Sequence, residues 1–396
     1  MKRALLPLFL VVAVSLLALL LPGTPSPGST EALRTPVGTA GCIEATLLQR
    51  PGWTTSGAWT PDGNDLILAD AQNHALLRYS SNGRPLGALT GTFGAALSNL
   101  SPSVLRSNDL TQERLVEVQD GGANRLLSMD RNLVPIRIRE VESASFNSSK
   151  ERISGLFQWQ PVGQDLVTFS DIQGPRENDW SSGIVRFAPD DPVHFTLLRS
   201  IANLDDPERT FYRLGFPYIT SVGNTAYILT MGTTPGIFKD TAPDGSKAQS
   251  LWRVRDPLAA GLNAELNPDL PSLRTKQDFV AVMSVVEHSA MPTGIFGWEQ
   301  QLYVLSRSPM DGATSWKLSR FDLSGEPVAE MRIPSSAANL TVVPGPKTWA
   351  FVEKGPVLDY GKQEVRSILF VPSSLIQEKL PSSSAAGTPS VCRDDV

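Results

Sequence analysis

The chain has 396 residues, 41% of them hydrophobic and 19% charged, with 31 glycines, 31 prolines and a formal charge of -5. This is the composition of a folded, turn-rich protein long enough to bury a sizeable core. It carries no run of Lys or Arg beyond isolated pairs, so it lacks the basic footprint that phosphate neutralisation needs, and nucleic acid is excluded as a partner class.

Residues 1–26 open on Met1-Lys2-Arg3 and continue through an apolar run, 4–21, that only Pro7 and Ser15 interrupt. The pattern is that of an export signal, either a cleaved signal peptide or an uncleaved anchor with its basic end in the cytoplasm. Both readings place the body of the protein in an extracytoplasmic space, secreted or periplasmic, and the anchor is the chain's one expected membrane contact. Residues 27–40, rich in Pro, Gly, Thr and Ser, read as a linker. The two cysteines, Cys42 and Cys392, stand at either end of the body. A disulfide between them would close a loop of about 350 residues; two unpaired thiols is the other reading, because sequence does not give their separation. A lipid-attachment box at Thr39-Ala40-Gly41-Cys42 is disfavoured, since it trails the apolar run by about twenty residues.

From residue 56 the chain repeats itself. The stretch 56–89 holds an apolar approach, a turn at Asp62-Gly63, a β-run at 66–69, a turn closed by Asp70 and Asn73, a second run at 76–79, a turn at Asn82-Gly83 and a last run to Leu89. That is a four-stranded antiparallel meander, which needs neighbours to bury both its faces. Five looser copies follow. Second strands are expected at 66–69, 115–118, 166–169, 226–229, 302–305 and 349–352, and third strands at 76–79, 126–129, 184–187, 251–254, 318–321 and 368–371. Spacings of about 50 to 75 residues suit such a unit with loops of variable length.

Local echoes fix the register: Ser56-Gly57, Pro61, Gly63 and Asp65-Leu66 recur as Ser154-Gly155, Pro161, Gly163 and Asp165-Leu166, and an arginine recurs in third strands as Arg78, Arg186, Arg253 and Arg320. Fourth strands read at 86–89, 136–141, 195–201, 280–286 and 328–333. The sixth copy lacks one, and the β-capable run 43–49 can supply it from the N-terminus. The expected fold is therefore all-β, a six-bladed β-propeller over 41–373 closed by an N-terminal strand, with 374–396 a flexible tail.

The first copy, with Pro61-Asp62-Gly63-Asn64, Ala69-Asp70, Asn73-His74 and Tyr79, resembles a blade of the NHL-repeat propellers. The second copy keeps Asp120 and Asn124 and the third keeps Asp171, while the last three have Thr230, Ser306 and Glu353 instead. The resemblance implies either a binding scaffold or, in gluconolactonase-like and lyase branches, a metal-dependent enzyme.

Two candidate sites follow. Asp70, Asp120 and Asp171, with Glu353, stand at the ends of second strands and could converge on the axis to hold calcium or magnesium for a hydrolase or lyase; the plainer reading is that each Asp accepts turn amides. His74, His194 and His288 fall at different positions in their copies, and Glu287-His288 reads as a solvated pair whose side chains point apart. No nucleophile elbow, His-Glu-x-x-His, P-loop or dinucleotide fingerprint occurs, so catalysis has no positive support. The second candidate is a loop-rich face. Long turns at 171–183, 231–249 and 306–315, with the crossing 203–216, carry Arg176, Trp180, Arg209, Tyr212, Arg213, Lys239 and the neighbouring Phe238 and Met310. Arginine and aromatic side chains on loops serve binding surfaces, though surface loops also tolerate insertion at little free-energy cost. The favoured function is a monomeric, non-catalytic propeller that recognises a protein or an envelope carbohydrate through this face.

Overall fold

The computed structural model describes residues 42–45, 47, 54–71, 73–90, 102–108, 115–120, 125–130, 132–140, 146–176, 179–201, 217–230, 236–240, 249–253, 287, 291–310, 313–333, 335–357 and 363–380. The described strands are β1 (Ile43–Glu44), then β2 (Thr54–Trp59), β3 (Asp65–Asp70), β4 (Ala75–Ser80) and β5 (Pro85–Thr90) of sheet 1. Sheet 2 follows with β6 (Pro102–Asn108), β7 (Leu115–Asp120), β8 (Arg125–Met129) and β9 (Pro135–Glu140). Sheet 3 holds β10 (Arg152–Val162), β11 (Asp165–Gln173), β12 (Trp180–Ala188) and β13 (Asp191–Ile201). Sheet 4 holds β14 (Tyr218–Val222), β15 (Thr225–Thr230), β16 (Gly236–Lys239) and β17 (Gln249–Arg253). Sheet 5 holds β18 (Met291–Trp298), β19 (Gln301–Met310), β20 (Ala313–Phe321) and β21 (Pro327–Ile333). In sheet 6, β22 (Asn339–Val343), β23 (Thr348–Lys354) and β24 (Val365–Pro372) are followed by β1, which pairs antiparallel with β24 through Ile43 opposite Phe370.

The meander repeats because each reversal has turn chemistry suited to it. Asp62 Oδ1 accepts from the Asn64 N–H and the Thr60 hydroxyl, and Gly63 sits at φ 66°, a conformation glycine adopts without the Cβ clash. Successive side chains on a second strand then point to opposite neighbours. Ile67 and Ala69 meet Val116 and Val118 of sheet 2, while Leu66 and Leu68 meet Ala350 and Val352 of sheet 6. The other seams follow the same rule: Leu126 packs on Trp159 and Leu166, Val167 and Phe169 on Ala226 and Ile228, Tyr227 and Leu229 on Leu302 and Val304, and Tyr303 and Leu305 on Trp349 and Phe351. The body is thus an all-β, propeller-like ring of sheets whose strands are buried on both faces. At the seam between sheets 6 and 1, Trp59 Nε1 donates to the Val343 carbonyl at 3.0 Å, and its ring meets Phe370 edge-on. Ile43 and Leu47 pack against the same cluster.

Three expectations need correction. The run near 251–254, expected as a third strand, is the fourth strand β17; the third is β16, whose four residues carry too little apolar pattern to stand out in the sequence. Arg253 therefore does not share a register position with Arg78, and the fourth strand expected at 280–286 falls outside the described residues. Finally, the expected loose tail begins with a helix, α1 (Ser373–Lys379), which buries Ile376 with Leu380 against Trp349 and its neighbours.

Candidate functional site

Both sequence-derived candidates lie at the ends of second strands, where register decides which residues are equivalent. Across β3 and β4, Ile67 faces Arg78; across β11 and β12, Val167 faces Arg186. Counting on from these pairs, Asp70 corresponds to Ser170, and Asp171 lies one residue further along. A slip of one residue turns a side chain to the opposite face of the sheet, so Asp171 does not share the side of Asp70 and Asp120.

Each carboxylate has a local partner. Asp70 is fully buried and accepts from the Asn73 N–H (3.1 Å) and Asn73 Nδ2 (2.7 Å), a closed Asx turn. Asp120, also buried, pairs with Arg125 Nε at 2.8 Å. Asp171 accepts from the Ser182 hydroxyl and Glu353 from the Ser367 hydroxyl, each at 2.5 Å. His74 is exposed and His194, also exposed, faces Asp191 at 2.9 Å; His288 lies outside the described residues. Among the described residues no three His, Cys, Asp or Glu side chains group closely enough to hold a metal ion. A carboxylate held by guanidinium, and another with both oxygens inside its own turn, do not form a calcium donor set.

The hairpins differ more than the carboxylates do. The second strands of sheets 1, 2 and 4 stop at Asp70, Asp120 and Thr230, opposite Ala75, Arg125 and Gly236. In sheet 3 the ladder runs on to Gln173 opposite Trp180, and in sheet 5 to Met310 opposite Ala313. The ladders of sheets 3 and 5 thus run three and four residues, about 10 and 14 Å, beyond Ser170 and Ser306, the counterparts of Asp70. The sheet 3 hairpin is closed by the Gly174 N–H to Asp179 carbonyl bond at 2.6 Å, with Asp179 N–H donating to the Arg176 carbonyl at 3.0 Å.

Of the residues expected on the loop-rich face, Arg176 is exposed at the tip of this hairpin, and Trp180, half-buried, is the first residue of β12. Lys239 is not on a turn. It ends β16, opposite Tyr227 and Gln249, three residues down the strand from the hairpin end, because 236–239 is strand where a loop was expected. Phe238 is in the same strand. Arg209, Tyr212 and Arg213 lie outside the described residues.

A buried polar cluster joins sheets 5 and 6 at the same strand ends, and sequence reasoning did not find it. Glu287, expected to be solvated, is 5% exposed; its Oε1 accepts from Asn339 Nδ2 and from the Val357 N–H at 2.8 Å. Arg307, one residue beyond Ser306, is 3% exposed and reaches the Ala338 carbonyl (3.3 Å) and Asn339 Oδ1 (3.4 Å). Its guanidinium lies over the Trp316 ring. Burial pushes Arg307 down to about 10, against the opposing pull of Glu287 and Tyr218. Lys354 ends β23 and is 8% exposed, and burial brings it down to about 8, with Glu287 resisting. Burial raises the Tyr218 phenol, and the Arg307 charge opposes that. The available sequence signal was the strand 348–354, apolar on both faces up to Val352, which implies that Lys354 is also buried.

No family model matches the chain, and no curated protein matches it. Among solved structures, the chain is similar to a member of the DUF4221 family from Bacteroides vulgatus, with 11% identity and a TM-score of 0.48, over 85% of this chain and 96% of that one. A streptogramin B lyase matches with 11% identity and a TM-score of 0.42, over 83% of this chain and 96% of the other. A luciferin-regenerating enzyme matches with 10% identity and a TM-score of 0.45, over 88% and 99%.

Proposed function

We propose that the protein is an exported, monomeric binding module, a six-bladed propeller in which β1 serves as the outer strand of the last sheet. In this reading it takes a protein or envelope-carbohydrate ligand over the end where the ladders of sheets 3 and 5 are extended. The observation that carries it is the reach of the described ladders: those of sheets 3 and 5, on either side of sheet 4, run three and four residues past Ser170 and Ser306, and the hairpin of sheet 3 presents Arg176 and Trp180. The six-bladed reading is supported by the seams, which take the sheets in consecutive pairs and return from sheet 6 to sheet 1. Export is supported by the signal-like residues 1–26 and by Cys42, which is buried and disulfide-bonded, a state suited to oxidising compartments. Its pairing with Cys392, the chain's other cysteine, which lies outside the described residues, is part of this proposal. The metal-dependent hydrolase reading ranks second because the four carboxylates are committed to local partners.

The test is calorimetric titration of the purified protein with envelope polysaccharides and envelope proteins of its host. Replacing Arg176 and Trp180 together by Ala is expected to weaken whichever interaction is found at least tenfold while the melting temperature holds. Undiminished affinity in a folded double variant overturns the assignment of the face.

A further inference from the structure

Among the described residues, sheet 4 covers only part of the facing side of sheet 5. Its outer strands, β16 and β17, have four and five residues, whereas β20 and β21 behind them have nine and seven. The face of sheet 5 that turns towards sheet 4 carries Leu302, Val304 and Phe321 into the shared seam. Further out on that face is a groove of about 340 Å³, within the size range of small-molecule sites.

The rungs of the sheet give the groove its chemistry. Ser306 lies opposite Lys317; Val304 lies opposite Ser319, which in turn lies opposite Glu330. Val304, Phe321 and Ala329 supply an apolar floor and Lys317 and Glu330 a polar rim. The two rim charges pair at 2.9 Å and are the only charged residues among the described lining, which therefore carries no net charge. Ser319 is 8% exposed, and among the described residues neither its hydroxyl nor that of Ser306 has a hydrogen-bond partner.

We propose that this groove binds a neutral, hydroxyl-rich ring, a sugar unit or cyclic polyol. A ring hydroxyl both donates and accepts, and the groove offers both functions together: two serine hydroxyls, an ammonium that only donates and a carboxylate that only accepts. A matched cation and anion bind such a ligand without favouring an ion of either sign, because either would oppose one of them. The apolar floor suits the C–H face of the ring. The inference does not rest on the hairpin face, which involves different residues.

The experiment is saturation-transfer NMR and calorimetry on the full protein with methyl glucoside and myo-inositol, and with glucuronate, glucosamine and hexanol as controls. The neutral polyols are expected to bind, and the charged sugars to bind at least fivefold more weakly. Ser319→Val and Glu330→Gln, each checked by circular dichroism, are expected to weaken polyol binding at least tenfold. Arg176→Ala with Trp180→Ala is expected to leave it unchanged, which separates this site from the hairpin face. The proposal is overturned if neither polyol binds, if only hexanol does, if the charged sugars bind equally well, or if both groove variants retain wild-type affinity.

Discussion

Replacing Lys354 by Met should make the protein more stable at neutral pH. Burial brings this lysine from an ordinary 10.5 to about 8 even though Glu287 pulls the other way, so on balance the fold disfavours its charge. At 1.36 kcal/mol per pH unit, keeping the side chain protonated in the folded state costs about 3 kcal/mol. Below pH 8 both folded and unfolded chains hold the proton and the whole cost is present. Between about 8 and 10.5 the unfolded chain still holds it and the folded chain has released it, so stability rises with pH across that window. Met keeps the unbranched stem and omits the charge, and Glu287 retains its bonds from Asn339 and the Val357 N–H. Urea unfolding of both proteins at intervals from pH 6 to 10.5 gives the difference directly, with most other titrating groups cancelling. The variant is expected to lead by up to about 3 kcal/mol at pH 7, and the gap to close towards pH 10.5. A variant less stable than wild type at pH 7, or a gap that does not change with pH, would refute the reasoning.

Other consequences are simpler to read. Trp349 is fully buried and meets Trp298 and Tyr303 edge-on, so Trp349→Ala should cost about 3–5 kcal/mol in chemical denaturation, and a loss below 1 kcal/mol would contradict the packing between sheets 5 and 6. Intact mass under alkylating conditions should show no free thiol until a reductant is added, after which two alkyl groups should appear; labelling without reductant would contradict the bonded state of Cys42. The melting temperature is expected to be the same with calcium, magnesium or EDTA; an ion-dependent rise of several degrees would restore the metal reading.

The strands were legible in the sequence wherever a turn residue and an apolar run coincide. All six runs expected as second strands fall inside observed strands, from 66–69 within β3 to 349–352 within β23. Legibility failed where the pattern was short or the count shifted by one. The four residues of β16 are too short an apolar run to read as strand in the sequence, which is why Lys239 is expected on a turn it does not occupy. The one-residue difference in spacing sets Asp171 level with Asp70 in the sequence, whereas the pairings of Val167 and Ile67 with their arginines make Ser170 its counterpart. The cluster around Glu287 was not accessible at all. It depends on contacts between residues 52 and 70 positions apart, and nothing local in the chain reports that Asn339 and Val357 will converge on one carboxylate.

The account depends most on the join between the two ends of the ring, and amide hydrogen exchange at Ala45 tests it. The Ala45 N–H donates to the Ile368 carbonyl at 2.8 Å, beside the pairing of Ile43 with Phe370. If β1 completes the last sheet, this amide should exchange far more slowly than an unstructured one, and its protection should fall together with that of β24 as denaturant is added. Free exchange at Ala45 while residues 365–372 stay protected would contradict the closure.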